Sequence, residues 1–155
     1  MSKLRSLTVV QIIPSLNAGG AERAVVDIAA ATVAAGHRAI VVSTGGYYQA
    51  ELQAKQAKFV KRNVDSKNPL WILINVFWLI HLIKHEGVDI IHARSRAPAW
   101  SAYFAALITG TPFVTTFHAA YKGNFIFKKM YNSVMAKGRR IIAISEFIGA
   151  HIKKN

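Results

Sequence analysis

An α/β fold, a parallel sheet with helices on both faces, is what this sequence predicts, and three observations carry that prediction. Short apolar runs recur along the chain, helical segments separate them, and Gly, Pro or Asn punctuates most junctions. The runs are apolar at consecutive rather than alternate positions, as expected of strands covered on both faces.

The first run, Leu7 to Ile13, is apolar or β-branched except at Gln11. Pro14 ends it, Asn17 with Gly19 and Gly20 makes a turn, and Ala21 to Ala35 is helical in composition until Gly36. Ala39 to Ser43 is a second strand closed by Thr44, Gly45 and Gly46. A short helix around Ala50 to Gln56 precedes a weaker strand at Phe59 to Arg62. Asn68 as cap and Pro69 at the first helical position start a helix over Leu70 to Glu86, stopped by Gly87. Val88 to His92 is the fourth strand. Pro98 opens a helix through Trp100, Tyr103, Phe104 and Leu107 to Gly110. Pro112 leads into strand Phe113 to Phe117, with His118 at its carboxyl end. A helix at Phe125 to Lys137, a strand at Arg140 to Ile144 and a helix from Glu146 complete the pattern.

Composition narrows the function. The 155 residues suit one domain with a real core. There is no cysteine, which excludes disulfides, a thiol nucleophile and Cys-ligated zinc. Residues MSKLRS run straight into the first strand without a signal peptide, so a cytoplasmic location is expected. The formal charge of +13, from 20 Lys plus Arg against 7 Asp plus Glu, points to polyanionic company: nucleic acid, an anionic membrane face or phosphorylated substrates.

In sheets of this kind ligands bind beyond the carboxyl ends of the strands, near the switch in strand order. The segments to inspect are therefore 17–22, 44–47, 92–96, 118–122 and 145–146. The turn at Gly19 and Gly20 aims backbone N–H groups and a positive helix end above the sheet, which suits a phosphate or a sugar hydroxyl. It lacks the G-x-G-x-x-G spacing of a dinucleotide site, and no G-x-x-x-x-G-K-[ST] loop exists. His118, at a strand end, is placed to project into the crevice or to serve a structural role, and His92 is in the same situation. Behind it, Arg94 and Arg96 form either a solvated basic loop or a recognition site for phosphate or carboxylate. The seven carboxylates show no two-carboxylate hydrolase pair. Glu22 and Glu146 each fall in a first helical turn, where the helix dipole accounts for them. The six histidines are scattered, and no metal site is expected.

Two stretches are surface candidates. The apolar run Leu70 to Ile83 is shorter than the roughly 20 residues that span a bilayer. It is either a buried helix or one whose Trp71 and Trp78 meet a membrane or partner. Projected at 100° per residue, Phe125 to Arg140 places Phe127, Met130, Tyr131, Val134 and Met135 on one side. Lys128, Lys129, Lys137, Arg139 and Arg140 fall on the other. Such a helix either packs on the core with a solvated basic back or lies on anionic lipid, with Lys128, Lys129, Arg139 and Arg140 as the candidate contacts.

Four segments in order, IIPSLNAGGAER, VDIIHAR, FVTTFHAA and IIAISEFI, resemble the N-terminal domain of a GT-B glycosyltransferase of the large retaining group called family 4. The resemblance implies a Rossmann-like domain and a role for each matched position. The loop holding Gly19 and Gly20 approaches the donor diphosphate and the acceptor, supported by Glu22 and Arg23. His118 contacts the donor sugar beside its anomeric carbon, as the catalytic residue. His92, Arg94, Tyr121 and Lys122 lie on the acceptor side, and Ser145 with Glu146 closes the crevice floor. Related enzymes transfer a sugar from a nucleotide-sugar to a lipid or glycan, lipopolysaccharide or another envelope glycan among them, usually without a metal or other cofactor. Several dock on the inner membrane face through basic, aromatic-rich helices. Family members also carry a second domain with the Arg, Lys and paired glutamates that hold the nucleotide, and no counterpart is found in these residues. The expectation is thus an acceptor-side domain, residues 1–155, inactive without its C-terminal partner. The competing reading is a non-catalytic basic domain for anionic lipid or nucleic acid; no nucleic-acid motif is visible and the basic residues are dispersed.

Overall fold

The computed structural model describes residues 5–121 and 125–154. Six parallel strands form one sheet in the order β3-β2-β1-β4-β5-β6. They are β1 (Thr8–Ile12), β2 (Arg38–Ser43), β3 (Lys58–Lys61), β4 (Ile90–Ala93), β5 (Phe113–Phe117) and β6 (Arg140–Ala143). The helices are α1 (Gly20–Ala34), α2 (Gln49–Ala54), α3 (Pro69–Glu86), α4 (Arg96–Thr109), α5 (Ile126–Ser133) and α6 (Glu146–Lys154). The strand order reverses between β1 and β4, which opens a crevice at their carboxyl ends.

Two apolar layers sandwich the sheet. On one face Val25, Val26 and Ala29 of α1 and Leu52 of α2 pack with Ile13, Ala39 and Val41. On the other, Val76, Leu79 and Ile83 of α3 and Ala99, Ala102 and Ala106 of α4 pack with Val10, Ile12, Ile40 and Ile91. Helix α3 begins as its chemistry dictates: the Asn68 side chain accepts the Leu70 N–H at 2.9 Å and Pro69 occupies the first turn. Gly87, at φ +61°, closes it in the left-handed region that favours glycine.

Several boundaries differ from expectation, some for a tertiary reason and one for a local one. Val88 and Asp89 precede the fourth strand instead of opening it. The Asp89 carboxylate accepts the Thr8 N–H at 2.8 Å while its own N–H bonds the Thr8 carbonyl at 2.9 Å, and the ladder starts at Ile90. Helix α4 starts at Arg96, ahead of Pro98, which proline's lack of an N–H permits in a first turn.

The helix expected over Phe125 to Lys137 is α5 followed by a 3-10 turn, Val134–Ala136. Thr115 Oγ1 donates to the Met135 carbonyl at 2.6 Å and draws that last turn onto the sheet. The single helical face projected from Phe125 to Arg140 therefore does not form. Lys128 and Lys129 lie on α5, whereas the Arg139 N–H bonds the Phe113 carbonyl at 2.7 Å and Arg140 opens β6.

Each of the two apolar segments packs on the core only in part, with Val134 and Met135 of the 3-10 turn fully buried. No residue of α5 is buried, and Phe127 is 77% exposed. Helix α3 buries Asn75, Val76, Leu79, Leu82 and Ile83 but leaves Leu70, Trp71, Leu73, Ile74 and Phe77 exposed. Among the described residues no helix is long and apolar enough to cross a membrane.

Candidate functional site

Strand alternation assembles a polar stripe in the crevice. Gln11 of β1 sits beside His92 of β4 in register, and His92 beside Val114 of β5. Because side chains repeat every second residue, Arg94 follows His92, and His118 follows Thr116, on the sheet face that α1 covers. The result is a row of Gln11, His92, Arg94, Thr116 and His118 between two apolar layers.

Burial and hydrogen bonding give each member a different part. Arg94 is only 3% exposed. Its Nε and Nη2 donate to Gln11 Oε1 at 3.0 and 2.7 Å, while Gln11 Nε2 donates to the Val25 carbonyl at 3.1 Å. Gln11 thus clamps the guanidinium and is itself tied to α1. Arg94 makes no ion pair among the described residues, and burial lowers its pKa from the ordinary guanidinium value to about 10. It stays charged at neutral pH, a buried cation facing the crevice without a carboxylate to neutralise it.

His92 is not a strand-end residue, as the sequence suggested; it lies inside β4, where Nε2 and Thr116 Oγ1 share a hydrogen bond of 2.7 Å. Burial foremost, then Arg94 and His118, pushes its pKa down to about 3, so it is neutral. Its role here is to hold Thr116 and to fill the floor beneath its neighbours.

His118 follows β5 directly and is half-buried. Its pKa is lowered, by burial first and then by Arg94, against a smaller opposing pull from Glu22. Its Nε2 is buried and has no hydrogen-bond partner among the described residues. A neutral imidazole with an unsatisfied buried nitrogen is an available donor or acceptor for something that enters the crevice.

Above these groups lies the first turn of α1. Gly19, its N-cap, supplies no side-chain cap, so the leading N–H groups face the crevice. A Cβ at Gly19 would run into the Glu22 carboxylate, whereas one at Gly20 would meet nothing within 4 Å. Gly20 therefore borders open space and Gly19 makes room for Glu22, which is close enough to influence His118. The loop is braced from β2: the Leu16 N–H bonds the Gly45 carbonyl and the Tyr48 N–H the Leu16 carbonyl, both at 2.9 Å. Gly46, at φ +148°, allows this approach, since a Cβ there would lie 2.6 Å from the Leu16 backbone.

Other candidates sit elsewhere. Arg23 turns away to α2, donating to Glu51 Oε2 at 2.8 Å and to Asp27, with Tyr48 against its guanidinium. It ties two helices together. Arg96, at the start of α4, is not a solvated loop residue either: it bonds Asn132 Oδ1 at 2.8 Å and lies over the Tyr121 ring at 4.3 Å. Tyr121 in turn packs on Phe117. Ser145 caps α6, its Oγ accepting the Ile148 N–H at 3.3 Å, and both Ser145 and Glu146 are exposed. Lys122 lies outside the described residues. Sequence reasoning missed Gln11 as a site residue; its signal was the one polar side chain in an apolar strand.

A buried guanidinium, an unsatisfied imidazole nitrogen and a helix N-terminus converge on one crevice. Chemically they suit a ligand carrying both anionic oxygens and hydroxyl groups.

Comparison with known proteins agrees. A family model described as Glycosyltransferase Family 4 matches residues 18–155. No functionally curated protein matches. Among solved structures, a glycosyltransferase from Rickettsia africae is 41% identical, with a TM-score of 0.84 over 97% of this chain and 40% of that one. HepE from Anabaena, solved in complex with UDP-glucose, shares 19% identity and a TM-score of 0.76 over 96% of this chain and 40% of its own. MurG from Acinetobacter baumannii shares 16% identity and a TM-score of 0.67 over 88% and 41%. The last two establish likeness of fold alone, and this chain spans about two-fifths of the length of each. On the family match and the reversed six-strand order together, the chain belongs to Glycosyltransferase Family 4, as an N-terminal domain of the GT-B kind.

Proposed function

We propose that this domain is the acceptor-side wall of a transferase that moves a sugar from a nucleotide-sugar donor to a lipid or glycan acceptor, with retention and without a metal. The observation that carries the reading is the pairing of unneutralised Arg94 with the unpartnered Nε2 of His118 in one crevice. HepE was solved with UDP-glucose and with UDP and glucose, which supports a nucleotide-sugar donor for this relative of its fold.

In this reading His118 bonds a hydroxyl of the donor sugar beside the reacting carbon. Arg94 adds fixed positive charge on the acceptor side of the crevice, where it can hold an anionic group of the ligand. The N–H groups of the Gly19–Gly20 turn face the same space. One wall does not exclude water, so turnover requires a second domain closing over the crevice, and this chain alone is inactive. The working location is cytoplasmic, at the inner membrane face, supported by the exposed apolar faces of α3 and α5.

The test is His118→Ala in the full-length protein, read as sugar transfer to membrane extract with folding checked by circular dichroism. A loss of about a hundredfold or more with the fold intact supports the reading. Unchanged transfer overturns the role of His118.

A further inference from the structure

The carboxylates of the domain leave Arg94 unanswered. Asp27 and Glu51 hold Arg23, Glu86 holds Arg38 and Lys58, and Asp89 holds Arg5. Glu22 acts on His118, and no carboxylate among the described residues offsets the burial of Arg94. What holds Arg94 is neutral. Its Nε and Nη2 both donate to Gln11 Oε1, and Gln11 is tied in turn to the Val25 carbonyl. One edge of the guanidinium is thereby fixed. Nη1 has no partner among the described residues, yet it is not sealed off, because His118 Nε2 is the only sealed and unpartnered side-chain nitrogen or oxygen among them. The open edge keeps the paired N–H donors that match a carboxylate or a phosphate in one plane. At 3% exposure, the guanidinium meets only what enters the crevice. It is also close enough to His118 to act on the charge of that imidazole.

We propose that the acceptor is an acidic sugar, with a carboxylate or a phosphate on the residue that receives the transfer, and that Gln11 sets this specificity by holding Arg94 in place without neutralising it. The inference rests on the transferase reading and narrows its acceptor by charge. A neutral sugar would take water from Arg94 and return no counter-charge, which leaves a buried cation uncompensated. A carboxylate or phosphate answers it with charge-assisted hydrogen bonds. Because Arg94 and His118 share one crevice, the anionic group sits on the accepting residue itself and not farther along a glycan or lipid. Glutamate at position 11 has nearly the shape of glutamine and would answer the cation from inside; the amide leaves that to the ligand. Gln11 touches Arg94 and not the ligand, so it is a positioning residue.

The experiment measures binding of methyl glucuronide, glucose 6-phosphate, neutral methyl glucoside and acetate to the full-length protein by ligand-observed NMR at one ionic strength. At least one anionic sugar is expected to bind about tenfold or more tightly than the glucoside. Which of the two does so assigns the group as carboxylate or phosphate. Acetate, which has no hydroxyl, is expected to bind at least about tenfold more weakly than that sugar. Arg94→Met removes the preference for the anionic sugar. Gln11→Glu keeps the cation but gives up the bond to the Val25 carbonyl, and with the fold intact by circular dichroism it reduces the preference to about twofold or less. Lys84→Ala, which removes an exposed cation in the last turn of α3, leaves the preference unchanged. Anionic sugars that bind no better than the glucoside, or acetate that binds as well as they do, overturn the proposal. So does a preference that survives Arg94→Met or a folded Gln11→Glu, or one that is lost equally in Lys84→Ala. The preference is read without transfer. Unchanged transfer in His118→Ala therefore sinks the transferase reading separately, and an absent preference leaves the role of His118 standing.

Discussion

A buried arginine with an amide for its partner makes an unusual stability prediction. Burial lowers the Arg94 pKa from the ordinary guanidinium value to about 10, which corresponds to roughly 3 kcal/mol against the charged form. Gln11 Oε1 offsets part of that with two hydrogen bonds, at 3.0 and 2.7 Å. Replacing Gln11 with Leu strands the cation, and the expected loss is about 2–4 kcal/mol of folding stability. Arg94→Met removes the buried charge but orphans the Gln11 carbonyl, and the two effects nearly cancel, within about 1 kcal/mol. The double variant removes both partners and is expected to be at least as stable as the unaltered protein, by about 1 kcal/mol or more. The pair is then coupled by at least about 2 kcal/mol, readable from urea unfolding of all four proteins. Transfer should vanish in both proteins lacking Arg94, because the charge is held at a stability cost for its ligand. Gln11→Leu costing under about 1 kcal/mol, or Arg94→Met proving the least stable, would refute the reasoning. So would Arg94→Met that transfers sugar normally.

Acid should weaken the fold through the same site. The folded-state pKa of His92, about 3, lies below the unfolded value of 6.5, so between those limits only the unfolded chain takes up the proton. Stability is full above about pH 6.5 and falls by about 2 kcal/mol from His92 alone between pH 7 and 5, with His118 adding in the same direction. Denaturant titrations at the two pH values check this, and His92→Gln should flatten the dependence; an unchanged slope in that variant removes His92 as its source. Gly46→Ala forces a Cβ against the Leu16 and Asn17 backbone at a positive φ. The expected result is about 1–3 kcal/mol of lost stability and a displaced Gly19–Gly20 turn, seen as weaker donor binding; a variant with normal stability would show that the brace from β2 is dispensable.

Much of the framework was readable from local pattern. Five consecutive residues, Phe113 to Phe117, form β5 where expected, and the helix from Pro69 to Glu86 begins and ends on the caps its sequence advertises. Residues at the carboxyl edge were also recognisable as candidates, since strand ends follow from strand identity. The errors arose wherever a long-range bond reset a local preference. Asp89 diverts its own segment to Thr8, and Thr115 tightens the end of α5. Arg23 has carboxylates within reach on two helices and so is spent on their packing.

By itself, then, the sequence determined the alternation of strand and helix, the parallel sheet and the loops that border the crevice. These depend on hydrophobic period, capping and turn chemistry, all of which act over a few residues. Only the tertiary structure decided that Gln11, 83 positions from Arg94, would clamp it, that His92 would be buried against Thr116 and held neutral by that burial, and that α3 and α5 would leave a groove instead of a closed core. Which side chains become neighbours depends on the register of paired strands and the packing of distant helices, and no local period encodes either.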